Sequence, residues 1–467
     1  MNATANMLRV EQAYDGELIT EIALKSPEEV EAMMDRAIKV YRDRSSWLPA
    51  YRRIEILKNV GEQMSAQAAD LAMLIAREGG KPLSDARVEV TRAIHGIELA
   101  IEGISHLHGE QVPMDLTAAG AGRIAFSRTE PIGPVVAVSA FNHPLNLIVH
   151  QVAPAIATGC PVIVKPAGAT PLSCQKFVEM VHNAGLPEDW CQFCPAKASV
   201  AEGLITDPRT AFFTFIGSAK VGWYLRSKLA PGTRCALEHG GVAPVIVCDD
   251  ADIAAVVPSL VKGGYYHAGQ VCVSTQRIYV DNKIKSEFIA AFKPAVEALI
   301  TGDPTSDKTE VGPLIQTGEV TRVEEWVREA ADMGASIITG GERISERVYQ
   351  PTIVDEPSPD STLSTSEIFG PVTSIYGFDT IEQAIERANA LPTMFQSAAF
   401  TRDLDRAMFI ADNLFASAVM INDHTAFRVD WMAFAGRGVS GYGVGGIGHT
   451  MSEMVEEKLT VIKRSAP

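Results

Sequence analysis

Three short stretches carry residues whose types and spacing could do chemistry. The first is Gly269-Gln270-Val271-Cys272-Val273-Ser274-Thr275-Gln276-Arg277, which follows Tyr265-Tyr266-His267-Ala268. A thiolate is a strong nucleophile, although a cysteine set among valines is more often an inert apolar filler. Here the glycine-containing turn before Cys272 offers a place for an exposed thiol. The second is Leu237-Glu238-His239-Gly240-Gly241, a carboxylate ahead of two glycines. Its plain reading is a turn glutamate, and its chemical reading is a general base. The third is Phe215-Ile216-Gly217-Ser218-Ala219-Lys220-Val221-Gly222, a strand running into a helix with GxxxxG spacing. Glycine there lets a ligand approach the backbone, and a helix N-terminus favours phosphate. Cys191 and Cys194 form a lone CxxC in WCQFCP. With no second pair at zinc spacing, two strand residues are expected there and no metal site.

The elements that must position these residues are legible as a pattern. Ser26-Pro27-Glu28-Glu29 reads as a helix start with a capping box, and the first hundred residues read as helical. One helical run stops at Gly79-Gly80 and another covers about 85–106. From 130 onward, short apolar strands at 134–140, 161–166, 191–194 and 211–216 alternate with helices near 145–158, 171–184 and 198–206. That alternation predicts βαβ units and a parallel sheet covered on both faces. Ligands sit at the carboxyl ends of such strands, which directs attention to Ala140-Phe141-Asn142, Lys165-Pro166-Ala167-Gly168 and Ile216-Gly217-Ser218. A second α/β run begins at about 241, with strands near 243–247, 277–280, 336–339, 397–400 and 417–422. The polar stretch 107–130 and the tail 457–464 read as strands that seek partners, another subunit among them.

Composition narrows the function classes. The 467 residues carry a formal charge of −16 without a basic stripe, which excludes a nucleic-acid binder. No window approaches the ~20 apolar residues of a membrane span. The N-terminal MNATANMLRVEQAYDGE has no apolar stretch or cleavage site. Seven scattered cysteines form no disulfide framework. A cytoplasmic protein is expected.

Taken together, Glu238, Cys272 34 residues further on, and Glu367-Ile368-Phe369-Gly370-Pro371 resemble the signatures of the NAD(P)-dependent aldehyde dehydrogenase superfamily, in order and spacing and over nearly the whole chain. The resemblance implies an α/β fold: a Rossmann-like cofactor domain (1–107 and 131–240), an α/β catalytic domain (241–445) and a small β oligomerisation element (108–130 and 446–467). It implies that Cys272 attacks the aldehyde, and that the Asn142 side chain and the Cys272 N–H hold the oxyanion. Glu238 would be the base for the hydrolytic water. It further implies that Lys165 meets the adenosine ribose of NAD or NADP, with Ala140 and Phe141 beside the cofactor. Gly217 and Ser218 would border the pyrophosphate, Glu367 would hold the nicotinamide ribose, and Phe369 would pack close by. A homodimer or homotetramer is expected.

Three departures stand out. Gly168 replaces a glutamate that binds ribose hydroxyls in many members, which removes a carboxylate that would repel the 2′-phosphate of NADP. His239 stands beside the base, either tuning it or packing. The common PFGGxKxSG becomes Ala433-Phe434-Ala435-Gly436-Arg437-Gly438-Val439-Ser440-Gly441, altering the substrate side around Phe434. In Asn422-Asp423-His424-Thr425-Ala426-Phe427-Arg428-Val429-Asp430-Trp431, Arg428 either pairs with Asp430 or Asp423 or meets an anionic substrate. The GQVCVSTQR block and the 451–458 tail resemble the lactaldehyde- and glyceraldehyde-3-phosphate-oxidising branch, implying a short, oxygenated or anionic aldehyde. Two alternatives stand beside hydrolytic oxidation: a CoA-acylating relative, which commonly lacks the base at Glu238, and a non-catalytic protein on the same scaffold.

Overall fold

The computed structural model describes residues 6–464. The outermost parts of the expected segments, residues 1–5 and 465–467, lie outside the described residues.

Two parallel sheets form the body of the molecule. In the first, Val135–Val138, Val162–Lys165 and Cys191–Phe193 run outward in one direction, while Phe212–Ile216 and Arg234–Glu238 run outward in the other. All five are parallel, and the two-residue strand Gly441–Tyr442 closes one edge antiparallel, with Gly441 opposite Glu238. The order reverses between Val135–Val138 and Phe212–Ile216. Such a reversal opens a crevice at the strand ends. Val135, Val136 and Ala137 are wholly buried, since helices cover both faces of the sheet. That explains why these strands read as continuous apolar runs.

The second sheet has seven strands in the order Ser336–Thr339, Thr352–Asp355, Val372–Phe378, Arg277–Asp281, Pro244–Val247, Gln396–Phe400 and Ala418–Ile421. All neighbours are parallel except the first pair. Sequence reading missed Thr352–Asp355, Val372–Phe378 and Arg234–Glu238. In Val372–Phe378 the polar Thr373 and Ser374 are wholly buried, so neither alternation nor an apolar run marks the strand. Arg234–Glu238 carries a charge at each end.

The expected capping box is present on helix Pro27–Arg42. Ser26 Oγ accepts the Glu29 N–H at 3.2 Å, and Glu29 accepts the Ser26 N–H at 2.8 Å. The first hundred residues are not all helical, however. A hairpin of Met7–Glu11 and Leu18–Ala23 precedes the helices, turning near Gly16 at φ +76°. Its strands are too short for alternation to outweigh the helical composition that follows. The stretch Arg123–Pro131 pairs with Val455–Lys463 on one side and Gln111–Val112 on the other. The two pieces expected to seek partners therefore find each other within one chain. The helix between, Ile447–Glu453, joins the core of the first body through Ile447 and Met451. No helix among the described residues is long and apolar enough to cross a membrane.

Candidate active site

The segment before Cys272 is held in a narrow conformation. Helix Ile253–Tyr265 ends, and His267, Ala268 and Gly269 all take left-handed φ values of +49°, +54° and +69°. Such values are strained for histidine and alanine. Gly269 meets the requirement twice, because a Cβ there would stand 2.0 Å from the Gly370 carbonyl oxygen. Gln270 then pins the turn. Its amide donates to the His267 and Pro313 carbonyls, and its side-chain oxygen accepts the Ile315 N–H at 2.9 Å. Thr275 bonds Thr425 at 2.9 Å and ties the far side. Cys272 emerges from this frame half-buried, the only cysteine of the seven that is not fully buried.

Asn142 comes from the end of Val135–Val138, and its Nδ2 donates to the Gln270 carbonyl at 2.9 Å. The second N–H of that amide is left for another acceptor beside the Cys272 loop. Glu238 ends strand Arg234–Glu238, and glycine chain passes close by it: a Cβ on Gly445 would lie 2.0 Å from its Oε1. Burial pushes the Glu238 carboxyl up to about 7, with Arg428 pulling the other way. Burial likewise pushes the Cys272 thiol up to about 12, reinforced by Glu367 and opposed by Arg428. A carboxyl poised near neutrality suits proton transfer.

One cavity of about 540 Å³ collects most of the expected residues, a volume typical of a small-molecule site. It is lined by Ala140, Phe141 and Asn142, by Gly217, Ser218 and Glu238, by Cys272, Glu367 and Phe369, and by Arg428 and Phe434. Lys165 and Gly168 are not among its walls, and the Lys165 ammonium donates to the Pro166 carbonyl at 3.0 Å. The cavity spans the end of Phe212–Ile216 and the head of helix Ala219–Arg226, where the reversal of strand order places a ligand crevice. The chemistry of its walls fits a nicotinamide dinucleotide. Glu367 holds a buried Oε1 with no partner, an acceptor available to a hydroxyl, and burial pushes this carboxyl up to about 8. Phe369 meets Phe141 edge to face at 5.8 Å.

Sequence reading missed several walls. Glu319, Arg322 and Trp326 come from helix Thr317–Asp332, Arg92 from helix Leu83–Gly103, His150 from helix Asn146–Thr158, and Tyr266 from the turn before Cys272. Arg92 binds buried Asp430 through two nitrogens at 3.0 and 2.7 Å. His150 Nε2 lies 2.8 Å from the same carboxylate, and Asn146 donates to it at 3.2 Å. These partners lie hundreds of residues apart, so no local spacing could announce them.

Asp430 is thus committed to Arg92, and Asp423 lies 3.9 Å from the His424 ring. Among the described residues neither carboxylate forms an ion pair with Arg428. The Arg428 guanidinium lies 3.5 Å over the Phe434 ring, donates to His150 Nδ1 at 3.5 Å, and keeps a buried Nε without a partner. His239 packs and does not face the base. Its Nδ1 meets the Gly217 carbonyl at 3.0 Å, its ring lies against Phe215 and Trp223, and Gly222 leaves it room. Cys191 and Cys194 are buried in the sheet, where burial raises their thiols to about 12 and 11.

A crevice at the switch point, with a thiol and a near-neutral carboxyl on its walls, fits an α/β oxidoreductase of the nicotinamide-dependent class. The aldehyde dehydrogenase family profile matches residues 1–460, and the chain belongs to that family. It is 34% identical over 462 residues to the 3-sulfolactaldehyde dehydrogenase of Priestia megaterium, covering 98% of this chain and 95% of that protein. It is 36% identical over 456 residues to the lactaldehyde dehydrogenase of Methanocaldococcus jannaschii, covering 97% and 96%. The crystal structure of glyceraldehyde-3-phosphate dehydrogenase from M. jannaschii, complexed with NADP, superposes with a TM-score of 0.93 at 35% identity, covering 98% of this chain and 99% of that one. The protein is an NAD(P)-dependent enzyme that oxidises an aldehyde.

Proposed function

We propose that the enzyme oxidises a short aldehyde bearing an acidic group to its carboxylic acid, by way of a thiohemiacetal and a thioester on Cys272. One observation carries the substrate class. Arg428 brings a half-buried guanidinium into the cavity wall shared with Cys272, stacked on Phe434 and without a carboxylate ion-pair partner among the described residues. Guanidinium binds carboxylate, sulfonate and phosphate groups through paired hydrogen bonds, and a cation in the cavity wall that no carboxylate hydrogen-bonds favours an anion there. Relatives that act on sulfolactaldehyde and lactaldehyde agree with a short oxygenated substrate.

In this reading the Cys272 sulfur, once its proton has left for solvent, bonds to the aldehyde carbon. The carbonyl oxygen becomes an oxyanion held by the Asn142 amide and the Cys272 N–H. Preorganised donors of this kind contribute roughly 3–4 kcal/mol each. When bound, NAD(P)+ would supply the acceptor for the hydride of the substrate carbon. Glu238 then takes a proton from water as the water oxygen attacks the thioester, and the Cys272 thiolate departs. Ala140, Phe141, Gly217, Ser218, Glu367 and Phe369 would hold the cofactor, with Lys165 near its adenosine ribose. Nothing lies within 4 Å of a Cβ built on Gly168, which leaves room for either NAD or NADP.

The domain reading follows the sheets: the six-stranded sheet for the cofactor, the seven-stranded sheet for catalysis, and the three-stranded sheet for assembly into a homodimer or homotetramer. Seven free thiols suit a reducing cytoplasm. The test of the substrate class is a steady-state comparison of hydroxy-, carboxy-, sulfo- and phospho-aldehydes with each cofactor. In the wild type kcat/KM should favour acidic over uncharged aldehydes, and Arg428→Gln should lower that ratio by roughly tenfold or more, the loss of one charged hydrogen bond. Equal ratios in the two proteins would overturn the assignment.

A further inference from the structure

Arg428 is held by an unusual partner. A guanidinium in a protein wall is ordinarily tied down by a carboxylate, which would cancel the charge an anionic substrate needs. Here the tie is an imidazole. Asp430 is 2% exposed and accepts from Arg92, His150 and Asn146. Burial alone would raise its carboxyl, but the His150 hydrogen bond and the Arg92 guanidinium outweigh burial and hold it ionised. An ionised acceptor at 2.8 Å fixes the His150 proton on Nε2. The lone pair then stands on Nδ1, where Arg428 Nη2 donates to it at 3.5 Å. Burial also keeps His150 uncharged, lowering it to about 4. Arg428 is therefore oriented by a neutral acceptor and the Phe434 face.

The charges around this corner can be counted. Arg92 and Asp430 cancel as a bidentate pair, His150 is neutral, and Arg428 contributes one positive unit. Glu238, near half ionisation at neutral pH, adds at most a partial negative charge. Building on the reading of Arg428 as the anion anchor, we propose that Asp430 is a specificity-determining positioning residue. By neutralising Arg92 and locking His150 as an acceptor, it presents a single positive charge and selects a singly charged acid group, carboxylate or sulfonate, over a dianionic phosphate. A phosphate monoester carries roughly 1.5–2 negative charges at pH 7, so that part of its charge would go unmatched by the one guanidinium.

The test measures kcat/KM at pH 7 for four aldehydes: a carboxy-aldehyde, a sulfo-aldehyde, glyceraldehyde 3-phosphate and uncharged lactaldehyde. The wild type should prefer one or both singly charged aldehydes to the phosphate ester by tenfold or more, and the two acids separate the carboxylate from the sulfonate source. Asp430→Asn, which frees the Arg92 charge, should lower that preference at least tenfold. A residue that only supported the fold would depress all four substrates together and leave the ratios in place. Arg92→Met gives an independent reading if the asparagine variant does not fold. It leaves Asp430 to neutralise Arg428, and the ratio of acidic to uncharged substrate should fall at least tenfold. A wild type that prefers the phosphate ester, or unchanged ratios in whichever of these variants fold, would overturn the proposal. If Arg428→Gln also leaves the acidic-to-uncharged ratio intact, the anchor reading itself fails. If Arg428→Gln lowers that ratio and the Asp430 and Arg92 variants do not move theirs, only the role of Asp430 fails.

Discussion

At the scale of single residues, environment decides role. Seven cysteines share one chemistry, but six are buried and the seventh lies half-buried on the wall of the cavity. The same holds for glutamates. Glu238 rises to about 7 because it is buried with only Arg428 to favour its ionised form. A general base works in its ionised form, and a raised value means that form is lost as pH falls through the window around 7. The kcat of the wild type should therefore fall about tenfold per pH unit below about 7, provided hydrolysis is rate-limiting. In Glu238→Gln that limb should vanish and kcat should drop by roughly 10²–10⁴, the usual contribution of general-base catalysis. A pH–rate profile identical in both proteins would remove Glu238 from the base role. Cys272, Glu238, Asn142 and Glu367 were reached through the family resemblance of the stretches that hold them, since each alone has a bland reading, and the fold brings all four to one cavity. Arg92, His150 and Asp430 were not reached in this way. The first two lie on helices with no motif around them, and Asp430 reads locally as a partner for Arg428. Their network closes across 338 and 280 residues.

At the scale of elements, a buried carboxylate links the helices to the cofactor side. Glu78, near the end of helix Ala68–Gly79, accepts the N–H groups of Leu172 and Ser173 at 2.8 Å each and the Ser173 hydroxyl. It satisfies the first turn of helix Pro171–Asn183, whose early N–H groups have no partner within the helix. Glu78→Ala would leave those donors buried and unpaired, costing on the order of 3 kcal/mol. Thermal or denaturant unfolding should report an earlier midpoint, and the KM for NAD(P) should rise because the Lys165–Gly168 segment leads into that helix. An unchanged midpoint would mean that water replaces the carboxylate. The helices and the apolar strands were readable from their periods. Val372–Phe378 was not, because buried Thr373 and Ser374 interrupt its apolar pattern, and the Met7–Glu11 hairpin was hidden by its short length.

At the scale of the whole molecule, the three-stranded sheet carries the unmet apolar surface. Ile124, Phe126 and Ile462 lie on one face, exposed by 41%, 41% and 49%, and the register places Ile462 opposite Ile124. Exposed apolar faces and strand edges of this kind mark contact surfaces. Phe126→Asp should shift a homodimer or homotetramer toward smaller species in light scattering, while a monomeric wild type would remove the assembly role from this sheet.

The central claim is that Cys272 carries the acyl group and Glu238 releases it. Rapid mixing of the Glu238→Gln enzyme with aldehyde and NAD(P)+, followed by acid quench and mass spectrometry, tests it most directly. The account predicts a burst of reduced cofactor close to one per site, with the matching acyl mass on the peptide that holds Cys272 and no such adduct in Cys272→Ala. Turnover by Cys272→Ala at the wild-type rate, or a burst without an adduct on Cys272, would contradict it.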